Sequence, residues 1–90
     1  MVWEVEFTDI ADKQLSKLDK PIKTRIINWL DERLNGCENP KLWGVPLVGE
    51  LSGLWRYRIG DYRVICEIRN SELVVLVIEL GHRRDVYKPR

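Results

Sequence analysis

The sequence predicts an α+β domain: an N-terminal strand, a two-helix hairpin, then three antiparallel strands that complete one sheet, with the helices on one face. Three observations carry that expectation. Residues 2–7 (VWEVEF) alternate apolar and acidic, as a half-buried strand does. Residues 9–34 place apolar side chains at helical spacing, interrupted near Pro21. Residues 54–68 (LWRYRIGDYRVICEI) alternate about a central Gly60-Asp61 pair, and the apolar stretch ELVVLVIEL follows at 72–80.

Each element has a local reason. In the first strand Trp3, Val5 and Phe7 share one face and Glu4 and Glu6 the other. Thr8 is an N-cap residue type, and Asp9 and Asp12 follow where a helix dipole favours acids. Ala11, Leu15 and Leu18 then define a short amphipathic helix over 9–18. Pro21 opens a second helix at the position where proline is favoured. Its stripe is Ile22, Ile26, Trp29 or Leu30, and Leu34, and Gly36 ends it. Residues 37–53 hold two prolines and three glycines and read as an extended loop, pinned by Leu42, Trp43, Val45 and Leu47 as apolar plugs. The continuous apolar run at 72–80 suggests a strand covered on both faces, and residues 81–90 (GHRRDVYKPR) a short basic tail.

Composition bounds the function. Ninety residues, 44% hydrophobic and 32% charged, suit a single domain over 1–90 with its own core. The longest apolar run is too short to span a bilayer, and the N-terminus lacks the basic region of a secretion signal, so a cytoplasmic location is expected. One histidine and two distant cysteines, Cys37 and Cys66, do not make a standard zinc site or a disulfide framework; no metal and no cofactor are expected. The four tryptophans are assigned to the core and the loop. The net charge is +1, but the halves differ. Residues 1–50 have seven basic and nine acidic side chains, mostly lysine among the bases. Residues 51–90 have eight basic and five acidic, and seven of those eight are arginine. The planar guanidinium fork suits phosphate and carboxylate better than the lysine ammonium does.

The arginines concentrate on the predicted hairpin. A two-residue Gly-x turn sets Ile59 opposite Tyr62 and Arg58 opposite Arg63. Trp55, Tyr57, Ile59, Tyr62, Val64 and Cys66 then share one face, and Arg56, Arg58 and Arg63 share the other. A solvated face carries arginines too, and Glu4 and Glu6 would partly neutralise it. Like charges directly opposite one another nevertheless destabilise a strand pair, which favours an anionic ligand. Histidine is the side chain whose ordinary pKa lies nearest neutrality, so His82 is the candidate proton carrier if there is chemistry, although a lone histidine at a strand end is more often inert. Arg83, Arg84 and Lys88 extend the basic surface, and Tyr87 is an aromatic suited either to the sheet edge or to base stacking.

The stretches GVPLVGELSGLWRYRIGDYRVICEI (44–68) and VVLVIELGHRRDVY (74–87), in that order and spacing, closely resemble the RelE/ParE superfamily of bacterial toxins from toxin–antitoxin pairs. The likeness covers essentially the whole chain. It implies one of two activities: RelE-like members are ribosome-dependent endoribonucleases that cut mRNA in the decoding site, whereas ParE-like members inhibit DNA gyrase and are not nucleases. Both are silenced by a cognate antitoxin that wraps the toxin. In the RelE-like branch Arg56 and Arg58 match the basic hairpin positions, Arg63 the arginine of the next strand, Arg83 the arginine after the last strand, and Tyr87 the C-terminal tyrosine. That full set points to the RelE-like branch, with a RelB-like antitoxin, the ribosome and mRNA as partners. Some relatives carry lysine at the hairpin positions. Arginine does not deprotonate, so the acceptor of the 2′-OH proton would be His82, Tyr87 or ribosomal RNA.

Overall fold

The computed structural model describes residues 2–84. Strand β1 (Glu4–Phe7) leads into helix α1 (Asp9–Ser16) and helix α2 (Lys20–Arg33). Strands β2 (Val45–Pro46), β3 (Leu54–Ile59), β4 (Tyr62–Arg69) and β5 (Val74–His82) follow. The sheet order is β1-β5-β4-β3-β2, antiparallel throughout except for β1, which runs parallel to β5. The α+β class is as expected. The sheet gains one strand: the two residues of β2, read from sequence as loop, pair with Trp55 and Arg56 at the edge.

The helix boundaries follow their caps. Thr8 Oγ1 accepts from the Ala11 amide at 3.1 Å and starts α1 as expected. The helix stops at Ser16, two residues earlier than the stripe suggests, and Leu18 still packs against the core. Asp19 precedes α2, whose first turn holds Pro21. Gly36 lies beyond that helix in the left-handed region and donates its amide to the Trp3 carbonyl at 2.7 Å. The Asn35 side chain accepts from the Val5 amide at 2.9 Å. Residues 35–37 thereby cover the outer edge of β1.

Ala11, Leu15, Ile26, Leu30 and Leu34 from the helices meet Trp3, Tyr57, Ile59, Val64, Cys66, Val75, Val77 and Leu80 in one core. Val5, Phe7, Trp55 and Tyr62 are half-buried against it. The expected core face of the hairpin is therefore correct.

Two expectations are corrected. Leu42, Trp43 and Val45 do not plug the loop: they are 74%, 51% and 48% exposed. The buried loop residue is Pro40, whose carbonyl accepts from the Tyr57 hydroxyl at 2.8 Å. A polar anchor inside the core holds the segment, and its apolar side chains remain outside. Gly44 packs against the same ring, where an added Cβ would lie 2.9 Å from Tyr57 Cε1. Strand β5 is also not covered equally on both faces. Val75, Val77 and Leu80 are buried, whereas Val74, Leu76 and Ile78 are half-buried.

A register shift interrupts the β4–β5 ladder: Ile65 pairs with Glu79, but Cys66 pairs with Val77, which leaves Ile78 as the extra residue of a bulge. Helix α1 satisfies the freed backbone groups. Gln14 Oε1 accepts from the Leu80 amide at 2.8 Å, and Thr8 Oγ1 donates to the Ile78 carbonyl at 3.2 Å. The bulge reverses the facing of everything beyond it, which decides the composition of the site.

Candidate nucleic-acid interface

The hairpin turn is built as its sequence requires. Gly60 sits at φ +61°, a conformation glycine adopts without strain, and Ile59 pairs with Tyr62 across it. Arg58 pairs directly with Arg63, and Arg56 with Ile65, so the three arginines lie on the sheet face opposite the helices. Arg58 is exposed, while Arg56 and Arg63 are half-buried.

The guanidiniums converge. Arg58 Nε donates to the Gly60 carbonyl at 3.5 Å, and Arg63 Nη1 reaches the same oxygen at 3.4 Å and the Tyr62 carbonyl at 3.3 Å. These contacts are long for hydrogen bonds and their acceptors are neutral. Two positive groups thus share one carbonyl. Arg58 has no carboxylate partner among the described residues. Arg56 Nε is shielded from solvent and donates to no acceptor. An unmet buried donor costs about 1–3 kcal/mol. The arrangement can hold an anion in a field of fixed donors, which is how proteins stabilise charge building on phosphoryl oxygens.

The end of β5 joins this tip. The Arg83 amide donates to the Asp61 carbonyl at 2.8 Å, which places the residue beside the turn, and both Arg83 and Arg84 are exposed. Gly81 pairs with Arg63, so the alternation carries Arg83 towards the arginine side. His82 goes the other way. It pairs with Tyr62, and the two rings meet edge to face at 5.5 Å. The histidine therefore stands on the helix side of the sheet, apart from Arg58 and Arg63. Its Nδ1 accepts from the Arg84 amide at 3.3 Å. Tyr87 and Lys88 lie outside the described residues.

Sequence reasoning missed one basic residue at the tip. Arg25, on α2, lays its guanidinium against Gly60, where an added Cβ would fall 3.0–3.1 Å from Nη1, Cζ and Nη2. Nothing in the spacing of α2 signals this contact, which exists only because the helix packs across the hairpin.

A small mixed sheet backed by two helices, with arginines gathered at one hairpin tip on the open face, is the architecture of a RelE/ParE-type toxin. The chain belongs to that group: the family model described as ParE toxin of type II toxin–antitoxin system, parDE, matches residues 5–87. It is 31% identical to Toxin RelG of Mycobacterium tuberculosis over 98% of this chain and 99% of the relative. Among solved structures it resembles a chain of the RelBE2 toxin–antitoxin complex of M. tuberculosis, with a TM-score of 0.83 and 31% identity, covering 94% of this chain and 97% of that one. It also resembles a chain of the archaeal RelE–RelB complex of Pyrococcus horikoshii, with a TM-score of 0.68 and 25% identity over 96% and 100% of the two chains.

Proposed function

We propose that this toxin is an endoribonuclease that cleaves mRNA on the ribosome and so halts translation. The observation that carries the reading is the convergence of Arg58 and Arg63 on one neutral carbonyl, beside an Arg56 Nε that has no acceptor. Arginines held this close without a neutralising carboxylate for Arg58 suit a ligand that brings the negative charge with it.

The reaction is a transesterification. The ribose 2′-OH attacks the adjacent phosphorus, the bond to the 5′-oxygen of the next nucleotide breaks, and the products are a 2′,3′-cyclic phosphate and a free 5′-OH. Negative charge accumulates on the non-bridging oxygens, which Arg56, Arg58, Arg63 and Arg83 stabilise, and one of them hydrogen-bonds the leaving 5′-oxygen, which takes its proton from water. His82 is turned to the helix side, so the 2′-OH proton passes to Tyr87 or to ribosomal RNA. Tyr87 holds a splayed base, and Arg84 and Lys88 contribute charge to RNA binding. Ribosome and mRNA place this activity in the cytoplasm. No helix among the described residues is long and apolar enough to cross a membrane.

A RelB-like antitoxin is proposed as the cognate partner, because the similar solved toxins were captured in complex with RelB-type proteins. The exposed Leu42, Trp43, Val45, Val48 and Leu51 run beside the sheet edge and offer it an apolar surface. Segments that fold on binding cover large areas in this way.

Single-turnover cleavage of mRNA on programmed ribosomes tests the reading, and the antitoxin should abolish it. The ParE description of the matching family model makes gyrase the relevant second assay. Intact mRNA together with inhibited supercoiling would replace the nuclease with a gyrase inhibitor.

A further inference from the structure

The geometry points to Arg25 as a phosphate-binding residue that leads the RNA strand from the arginine face, over the hairpin tip, onto the outer surface of α2. This rests on the reading of the arginine face as an RNA-phosphate site. The turn residue Gly60 has guanidiniums on two sides. Arg58 and Arg63 reach its carbonyl at 3.5 and 3.4 Å. The Arg25 group lies flat against the opposite side, its Nη1, Cζ and Nη2 at 3.0, 3.1 and 3.1 Å from where a Cβ would stand. A side chain at this position would crowd that approach, and at φ +61° it would also be strained.

Arg25 is exposed and makes no ion pair or hydrogen bond with another described residue. Its position is set by packing, and its donors remain available. The same residue lines a surface groove of about 430 Å³ on α2 with Thr24, Asn28, Trp29 and Glu32. The volume falls in the range of small-ligand pockets. Arg33 closes the groove, its guanidinium held 5.2 Å from the Trp29 ring centre and 5.4 Å from that of Trp43. Glu32 is the groove's one carboxylate, against two arginines. The groove is thus basic and carries polar groups suited to a sugar or base, and Arg25 links it to the hairpin tip through its contact with Gly60. A single strand that places one phosphate between Arg58 and Arg63 can pass its neighbouring phosphate to Arg25.

The test is binding of a fluorescein-labelled 2′-O-methyl oligouridylate, which cannot be cleaved, by the purified toxin over a salt series. One lost phosphate contact on a single strand lowers the slope of log K against log salt by about 0.7. Arg25→Gln is expected to weaken binding several-fold at low salt with that change in slope, and Arg25→Lys to restore the slope. Thermal stability of both variants should match the wild type. Unchanged affinity and slope in Arg25→Gln, with a lowered melting temperature, would make Arg25 a clamp on the turn and overturn the inference. Failure of the wild-type toxin to bind the oligonucleotide overturns it as well. The ribosome assay is independent. Intact mRNA alongside Arg25-dependent binding removes the nuclease reading and leaves this contact standing. Normal cleavage with Arg25-independent binding does the reverse.

Discussion

The two ends of strand β4 treat arginine differently. At its C-terminal end Arg69 donates to Glu67 at 2.7 Å and to Glu72 at 3.5 Å. These carboxylates raise the Arg69 pKa, first through the Glu67 hydrogen bond and then through its charge. At the hairpin tip Arg58 and Arg63 face each other and share a carbonyl. Arg69 thus has carboxylates beside it, whereas Arg58, on the neighbouring strand β3, has none among the described residues. Exposed ion pairs such as those of Arg69 contribute little to stability. Leaving opposed arginines at the tip has a cost, and an external anion removes it. The difference sets an arginine held by its own carboxylates apart from the arginines proposed to bind phosphate.

Substitution at the two ends should separate them further. Arg63→Ala and Arg83→Ala are each expected to slow single-turnover mRNA cleavage by about 10²–10³, the loss seen when one donor to a developing oxyanion is removed. Arg69→Ala should leave the rate near wild type; an equal loss at Arg69 would erase the contrast. On the core side of the hairpin, Tyr57→Phe strands the Pro40 carbonyl and should destabilise the fold by about 1–3 kcal/mol in chemical denaturation. Arg58→Lys retains the charge and loses the fork. A rate loss of about tenfold, the low end for a hydrogen bond to a charged group, would show that bidentate contact matters.

The smallest expected effects concern His82 and alkaline pH. With its ring against Tyr62, His82→Ala should cleave mRNA at close to the wild-type rate. A loss as large as that of Arg63→Ala would return the histidine to the chemistry. Burial raises the pKa of the Cys66 thiol and, first among several causes, that of the Tyr57 hydroxyl. The folded state thus keeps protons that the unfolded chain releases. The resulting stability is fully present below the ordinary cysteine and tyrosine values of 9.0 and 10.0, and is lost as the pH rises from there towards the folded values. Melting temperatures measured across that range should fall, and Cys66→Ser should shift the onset of the fall upward.

Local chemistry made much of this molecule legible. The alternation of residues 54–68 and the Gly60-Asp61 turn are enough to place Arg56, Arg58 and Arg63 on one face, because a strand repeats every two residues whatever surrounds it. The Thr8 cap and the apolar stripes locate both helices for the same reason: their signals lie within a turn or two of chain. The loop was less legible. Leu42, Trp43 and Val45 look like plugs by composition, but the hydrogen bond that pins the segment runs from Tyr57 to a proline carbonyl seventeen residues away in sequence. Only packing creates that partner.

The facing of the last strand was likewise decided in three dimensions. Strict alternation from Val75 and Val77 would send Glu79 and Gly81 towards the helices and His82 towards the arginines. The bulge at Ile78 moves the register by one residue and exchanges those faces. Its freed amide and carbonyl are met by Gln14 and Thr8, more than sixty residues earlier in the chain. Arg25 reaches Gly60 by the same route, through a helix laid across a hairpin. Periodicity assigns a residue to a face when the ladder is unbroken, but where the ladder slips and which distant side chain meets it depend on the packed whole.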